Sequence, residues 1–184
     1  PPIWCPTSSE GSIPWIAANG FGIALSLLHS PTLEKVAQSL QQYRDEFQAH
    51  RNDPGRLNAH APRPEVAFTT HVYVADTDEQ ARAEGGAAYV QFHENFTRRY
   101  VEIGQGDKYA HRPGFEQLVK EHRILCGSPD TVRKALQSHF SLTGANHFIG
   151  AFTFGSLSFE QTQHSLELFS KEVMPAFNTI RLAA

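Results

Sequence analysis

Short apolar or β-branched runs alternate along the chain with longer segments whose apolar residues recur at helical spacing. This is the sequence mark of repeated strand–helix units around a parallel sheet. The runs at residues 2–6, 21–28, 66–74 and 147–154 read as four strands. The first leads through a turn rich in Thr, Ser and Gly into a short helix over residues 12–19. After the second, Leu33, Val36, Leu40, Tyr43 and Phe47 share one helix face, with Ser30 as cap and Pro31 in the first turn. After the third, Asp76-Thr77-Asp78-Glu79 supplies a cap and an acidic first turn for a helix running toward Arg98.

Between Glu102 and Glu121 the periodicity breaks into Gly104-Gln105-Gly106-Asp107 and Arg112-Pro113-Gly114, which predicts a loop with at most one short helix at its end. A loop of that length inside a compact domain suits a lid, so residues 1–184 are expected to form a single domain with a lid-like insertion at about 102–121. A further helix is predicted to start at Gly127-Ser128-Pro129-Asp130, capped by Ser128 and carrying Val132, Leu136 and Phe140. Ser158 and Gln161 have the spacing of a capping box for the last helix, whose buried stripe is Leu166, Phe169, Val173 and Phe177.

Four strand–helix units use up the chain, whereas a closed (β/α)₈ barrel takes eight units and about 250 residues. If the chain belongs to a barrel, it is half of one. A small open doubly wound sheet is the alternative, although the first turn lacks the G-x-G-x-x-G of a dinucleotide fold.

Composition narrows the partners. With 40% hydrophobic and 19% charged residues the chain is an ordinary globular domain, and a net charge of −3 gives no electrostatic reason to expect nucleic acid. No apolar run approaches the roughly 20 residues of a membrane span. Cys5 and Cys126 lie far apart in apolar surroundings, which predicts two buried thiols and a reducing, cytoplasmic setting. Pro1, followed almost at once by apolar Ile3-Trp4-Cys5, reads as a cut boundary.

The candidate chemistry begins in the first turn. Ser8, Ser9 and Ser12 place hydroxyls around a helix opening, Gly11 permits close backbone approach, and Pro14 removes a donor that the first helical turn does not need. Such an opening suits a phosphate; the same serines also serve as ordinary caps and turn formers. His71, near the end of the third strand, is either a proton carrier or a structural histidine. His29, His60, His111 and His122 show no H-x-x-x-H or H-E-x-x-H spacing, so no metal site is expected. Asp45/Glu46 and Glu116/Glu121 sit on solvated faces, and no G-x-S-x-G nucleophile occurs.

Three stretches carry a family resemblance. They are Pro1-Pro2-Ile3-Trp4 with Thr7-Ser8-Ser9-Glu10-Gly11-Ser12 and Trp15-Ile16-Ala17-Ala18; Ile124-Leu125-Cys126-Gly127-Ser128-Pro129-Asp130-Thr131-Val132; and Phe152 to Gly155 with Leu166-Glu167-Leu168-Phe169 and Val173-Met174-Pro175-Ala176-Phe177. In this order and spacing they resemble the C-terminal half of the bacterial luciferase-like flavin-dependent monooxygenases. The resemblance implies four βα units forming the C-terminal half of a (β/α)₈ TIM-type barrel. It implies that Thr7, Ser8, Ser9, Ser12 and Ser26 contact the cofactor and that Leu27 lies by the flavin ring or substrate pocket; His71, near the end of the third strand, is expected to line that pocket if its face enters the barrel. The cofactor implied is FMN, reduced by a separate flavin reductase and used with O₂ to oxygenate a small organic substrate, with deazaflavin as the alternative.

The light-emitting members resemble this chain but carry Trp where Leu27 stands, so luminescence is not implied. The resemblance leaves the catalytic residues to the N-terminal half. The 184-residue chain is therefore expected to be inactive alone, and to need an N-terminal half-barrel or a full-length protomer, within a homo-oligomer. The second reading is a non-catalytic half-barrel fragment or assembly partner that completes a barrel with another chain.

Overall fold

Parallel strands require crossovers, and the first part of the chain supplies them as helices. In the computed structural model, which describes residues 2–30, 32–108 and 112–177, β1 (Trp4–Thr7), β2 (Gly22–Ser26) and β3 (Val66–Val74) pair in parallel. Trp4 stands opposite Gly22, Thr7 opposite Leu25, and Ser26 opposite Thr69. Helices α1 (Ile13–Ala18) and α2 (Leu33–Ala49) make the two crossovers, and β5 (His147–Ala151) also pairs with β3. The backbone divides into two compact units, Pro1–Thr70 with Gln137–Gly150 and His71–Leu136 with Ala151–Ala184, so β3 passes from one to the other.

In the first unit the core follows the amphipathic pattern of α2, whose Val36, Leu40, Tyr43 and Phe47 are all buried. The Tyr43 hydroxyl donates to the Phe21 carbonyl at 2.7 Å, and burial pushes that phenol up to about 12. Phe68 packs against Phe140 and Phe148, with ring centroids 5.2 Å away in each case. The buried Arg56 guanidinium donates to the Ala17 and Ala18 carbonyls at the end of α1 and lies 4.2 Å over the Phe47 ring. It thereby gives the Ala18 carbonyl at the helix end a partner and adds a second donor to the Ala17 carbonyl, which already accepts from the Gly20 N–H at 2.9 Å. Gly20 is held at a φ of 76°, and a Cβ there would lie 2.8 Å from the Asn58 carbonyl oxygen.

The start of α2 differs from expectation. Thr32, in extended backbone, is its cap and accepts from the Lys35 N–H at 3.2 Å, so Ser30 lies outside the helix; Pro31 falls outside the described residues.

In the second unit the far end of β3 pairs in parallel with β4 (Leu125–Gly127), Val72 opposite Leu125 and Val74 opposite Gly127. The described sheet thus has five strands, not the four read from the sequence, because a three-residue strand is too short to show a period. Thr77 caps α3 (Asp78–Glu102) as expected, but the helix runs past Arg98 to Glu102. Beyond it lie a 3₁₀ turn at Gly106–Lys108 and α4 (Phe115–Lys120), matching the predicted loop with a short helix at its end; residues 109–111 fall outside the described ones.

The Asp78 carboxylate accepts from the Ser128 N–H at 2.6 Å and the Thr131 hydroxyl at 3.0 Å, fastening α3 to the start of α5 (Pro129–Thr143). These bonds, led by the Ser128 N–H, hold its pKa below the usual carboxylate value. A Cβ on Gly127 would lie 2.8 Å from the same carboxylate, which explains the Gly-Ser-Pro-Asp-Thr run as a latch.

Ser158 and Gln161 form the predicted capping box of α6 (Phe159–Leu168). A π-helical turn follows at Phe169–Val173, with Phe169 and Val173 buried. Leu166, however, is 44% exposed; Ser165 takes the inward position because its hydroxyl accepts from the Val74 N–H at 2.8 Å at the end of β3. The strand expected to reach residue 154 ends at Ala151, and Phe152 packs on Phe169 at 4.9 Å instead. Both cysteines are free: Cys126 is buried, with its thiol pushed up to about 12 by desolvation, while Cys5 is only half-buried.

Candidate functional site

Because β1, β2 and β3 run the same way, one edge of the first unit gathers strand ends and the opposite edge gathers strand starts. At the strand ends lies a pocket of about 60 Å³ lined by Thr7, Ser8, Ser9, Glu10, Leu25, His29, Ser30, Lys35 and Ser39, among others. The structure thus places Thr7, Ser8 and Ser9 on one pocket. Thr7 serves the turn itself, its hydroxyl accepting from the Ser9 N–H at 3.0 Å. Ser9 and Ser12 occupy cap positions, yet neither side chain makes a capping hydrogen bond, so the hydroxyls are not spent on the helix.

Ser12 is not among the residues lining the pocket, and Ser26 approaches it only through His29, whose Nδ1 lies 3.0 Å from Ser26 Oγ. The helix opening is also smaller than expected. A 3₁₀ turn at Glu10–Ser12 precedes an α1 of only six residues, so its dipole is slight. The stronger field comes from the 17-residue α2, whose third residue, Lys35, lines the pocket. Lys35 Nζ lies 3.0 Å from Glu10 Oε1.

Sequence reading did not single out His29, Lys35 or Ser39. The available signal was topological: consecutive parallel strands end side by side, so whatever follows the second strand faces whatever follows the first.

Leu27 is fully buried just beyond β2, and its N–H donates to the Thr69 carbonyl at 2.9 Å. His71 belongs to the second unit, where it is buried among Phe92, Phe154 and Tyr89, at ring-centroid distances of 4.4, 4.7 and 6.5 Å. Its surroundings are therefore aromatic.

At the strand starts a larger cavity of about 260 Å³ is lined by Trp4, Gly22, Asn58, Glu65 and their neighbours. Its walls are fastened to one another. Glu65 Oε2 lies 2.5 Å from His147 Nε2, the Trp4 ring stands edge-on to His147 at 4.9 Å, and the Asn58 amide donates to the Gly20 carbonyl at 2.7 Å. Parallel α/β folds place their chemistry at strand C-terminal ends, which favours the smaller pocket as the site. Among the described residues no group of His, Cys, Asp and Glu could hold a metal ion, and no helix is long and apolar enough to cross a membrane.

The family whose profile matches residues 1–147 is described as luciferase-like monooxygenase. The chain is 24% identical over 189 aligned positions to the oxygenase component of a flavin-dependent trigonelline monooxygenase from Acinetobacter baylyi, covering 97% of this chain and 49% of that protein. Among solved structures, a monooxygenase from Streptomyces bottropensis matches with a TM-score of 0.73 at 26% identity, over 96% of this chain and 48% of the other. The oxygenating constituent of 3,6-diketocamphane monooxygenase from Pseudomonas putida, solved with FMN, matches with a TM-score of 0.66 at 22% identity, over 95% and 48%. A coenzyme F420-dependent tetrahydromethanopterin reductase from Methanopyrus kandleri shares the fold, with a TM-score of 0.57 at 14% identity, over 96% and 51%. The chain spans about half the length of the curated relative it matches.

Proposed function

Because the chain belongs to the luciferase-like monooxygenase family, we propose that it supplies the C-terminal half-barrel and the phosphate side of the FMN site of a flavin-dependent monooxygenase. Its fold is that of luciferase-like TIM-barrel monooxygenases, of which it covers about half. The observation that carries the reading is the strand-end pocket, where Ser8, Ser9, whose hydroxyl makes no capping bond, and Lys35 converge. Reduced flavin, when bound, supplies the electrons that let O₂ oxygenate an organic substrate.

This chain's own residues bind and orient. Ser8 and Ser9 offer hydroxyls to the phosphate, while Thr7 holds the turn closed from below. Ser12, at the cap position of α1, and Ser26, 3.0 Å from the His29 ring, offer further hydroxyls to the cofactor. Leu27 provides an apolar wall that keeps water from the ring, and His71 in its aromatic surroundings lines the substrate side.

A flavin reductase reduces the cofactor, the substrate is a small organic molecule, and an N-terminal half-barrel or full-length protomer within a homo-oligomer completes the site. The chain alone is inactive on this reading. A non-catalytic assembly partner is the second reading, favoured by a match to only 49% of the relative's length. A deazaflavin in place of FMN would show in the absorption spectrum of the bound chromophore.

The test is the affinity of the chain for FMN against riboflavin, followed by flavin fluorescence. FMN should bind more tightly, and Ser8→Ala with Ser9→Ala should remove about tenfold of that preference by deleting hydrogen bonds to a charged group. Equal affinity for the two flavins would refute the phosphate role of this pocket.

A further inference from the structure

The strand-end pocket holds an anion of its own. Glu10 reaches from the 3₁₀ turn ahead of α1 to Lys35 Nζ, 3.0 Å away, and both residues line the pocket shared by Ser8 and Ser9. Lys35 is the third residue of α2, where the N-terminal end of a 17-residue helix adds its positive field to the ammonium charge. Anions gather at such a place, and the Glu10 carboxylate occupies the position of one.

Its hold is weak, since the side chains of Lys35 and Glu10 are 38% and 62% exposed and solvated ion pairs contribute little. Glu10 can therefore turn outward without burying a charge.

We propose that Lys35 is a ligand of the flavin phosphate and that Glu10 is a resident placeholder, displaced into solvent when the phosphate enters. The inference rests on the reading of this pocket as a phosphate site. A phosphate monoester displaces a carboxylate because it carries nearly two charges and three strong acceptor oxygens. Lys35 has three donors on a flexible four-carbon stem, so it can follow the incoming oxygens without a backbone change. The exchange gives the site selectivity. A flavin lacking phosphate offers Lys35 nothing to replace the carboxylate, so the Glu10–Lys35 pair stays closed.

The test measures dissociation constants of FMN and riboflavin for the full chain and for Lys35→Ala and Glu10→Gln, with circular dichroism melts as a check on folding. Lys35→Ala should weaken FMN about tenfold through loss of a charge-assisted contact, and Lys35→Met serves if the alanine variant does not fold. Glu10→Gln should strengthen FMN about threefold by removing a competing charge. Riboflavin should be unaffected in both. If the chain prefers FMN but neither variant alters that preference, this exchange is wrong while the phosphate site stands. A chain without preference for FMN overturns both. Weaker FMN binding by Glu10→Gln would make Glu10 a supporting residue and overturn the placeholder role.

Discussion

The two edges of the parallel sheet in the first unit are built on different terms. At the strand starts a cavity of about 260 Å³ has walls fastened by Trp4 over Gly22, Glu65 with His147 and the Asn58 amide nitrogen on the Gly20 carbonyl, with the buried Asn58 Oδ1 left without a partner. At the strand ends a pocket of about 60 Å³ is lined by serines, among them Ser9, whose hydroxyl makes no capping bond, and by an ion pair open to solvent. A site needs polar groups whose present partners can be exchanged at small cost, and the solvent-exposed Glu10–Lys35 pair of the smaller pocket meets that need.

This contrast can be broken first at the rigid edge. Gly20→Ala forces a side chain into left-handed backbone at a φ of 76°, with its Cβ 2.8 Å from the Asn58 carbonyl oxygen. Backbone strain and overpacking together should cost about 3 kcal/mol. A lower urea midpoint at unchanged slope would register this. An unchanged midpoint would mean that the strand-start edge is as adaptable as the other.

A smaller effect should come from Tyr43→Phe, which deletes the buried hydroxyl bond to Phe21 at the entry to β2 and should cost about 1 kcal/mol near neutral pH. Burial raises this phenol to about 12 from the 10.0 of a free tyrosine. A folded pKa raised above the unfolded one gives stability that is full below the unfolded value and lost as pH rises through the folded value. The gap between the native chain and the variant should therefore narrow from about pH 10 to 12. Urea titrations at several alkaline pH values check this, and a gap that widens there would contradict the assignment.

Much of the fold was legible in the sequence where long periodic segments carried it. The β3 boundaries, the buried face of α2 and the Ser158/Gln161 capping box all appear as read. The misses have local physical causes. Ser30 and Thr32 are both competent caps, and only extended backbone at Thr32 decides between them. β4 has three residues and no period, and Ser165 takes an inward place for the sake of one strand N–H rather than for its hydrophobicity.

The site was legible only in part. The Ser-rich turn could be found because its hydroxyls are consecutive, whereas the Glu10–Lys35 pair joins residues 25 positions apart that only the parallel register brings together. His71 could be placed on a strand, but its aromatic neighbours come from α3 and from Phe154, which no spacing around His71 could reveal.

The most direct test of the difference between the two edges is an amide chemical-shift titration of the chain with inorganic phosphate. The account predicts saturable shifts at Ser8, Ser9, Glu10 and Lys35, with Trp4, Gly20 and Gly22 unmoved. Shifts confined to the strand-start residues, or no saturable shift at the strand ends, would contradict it.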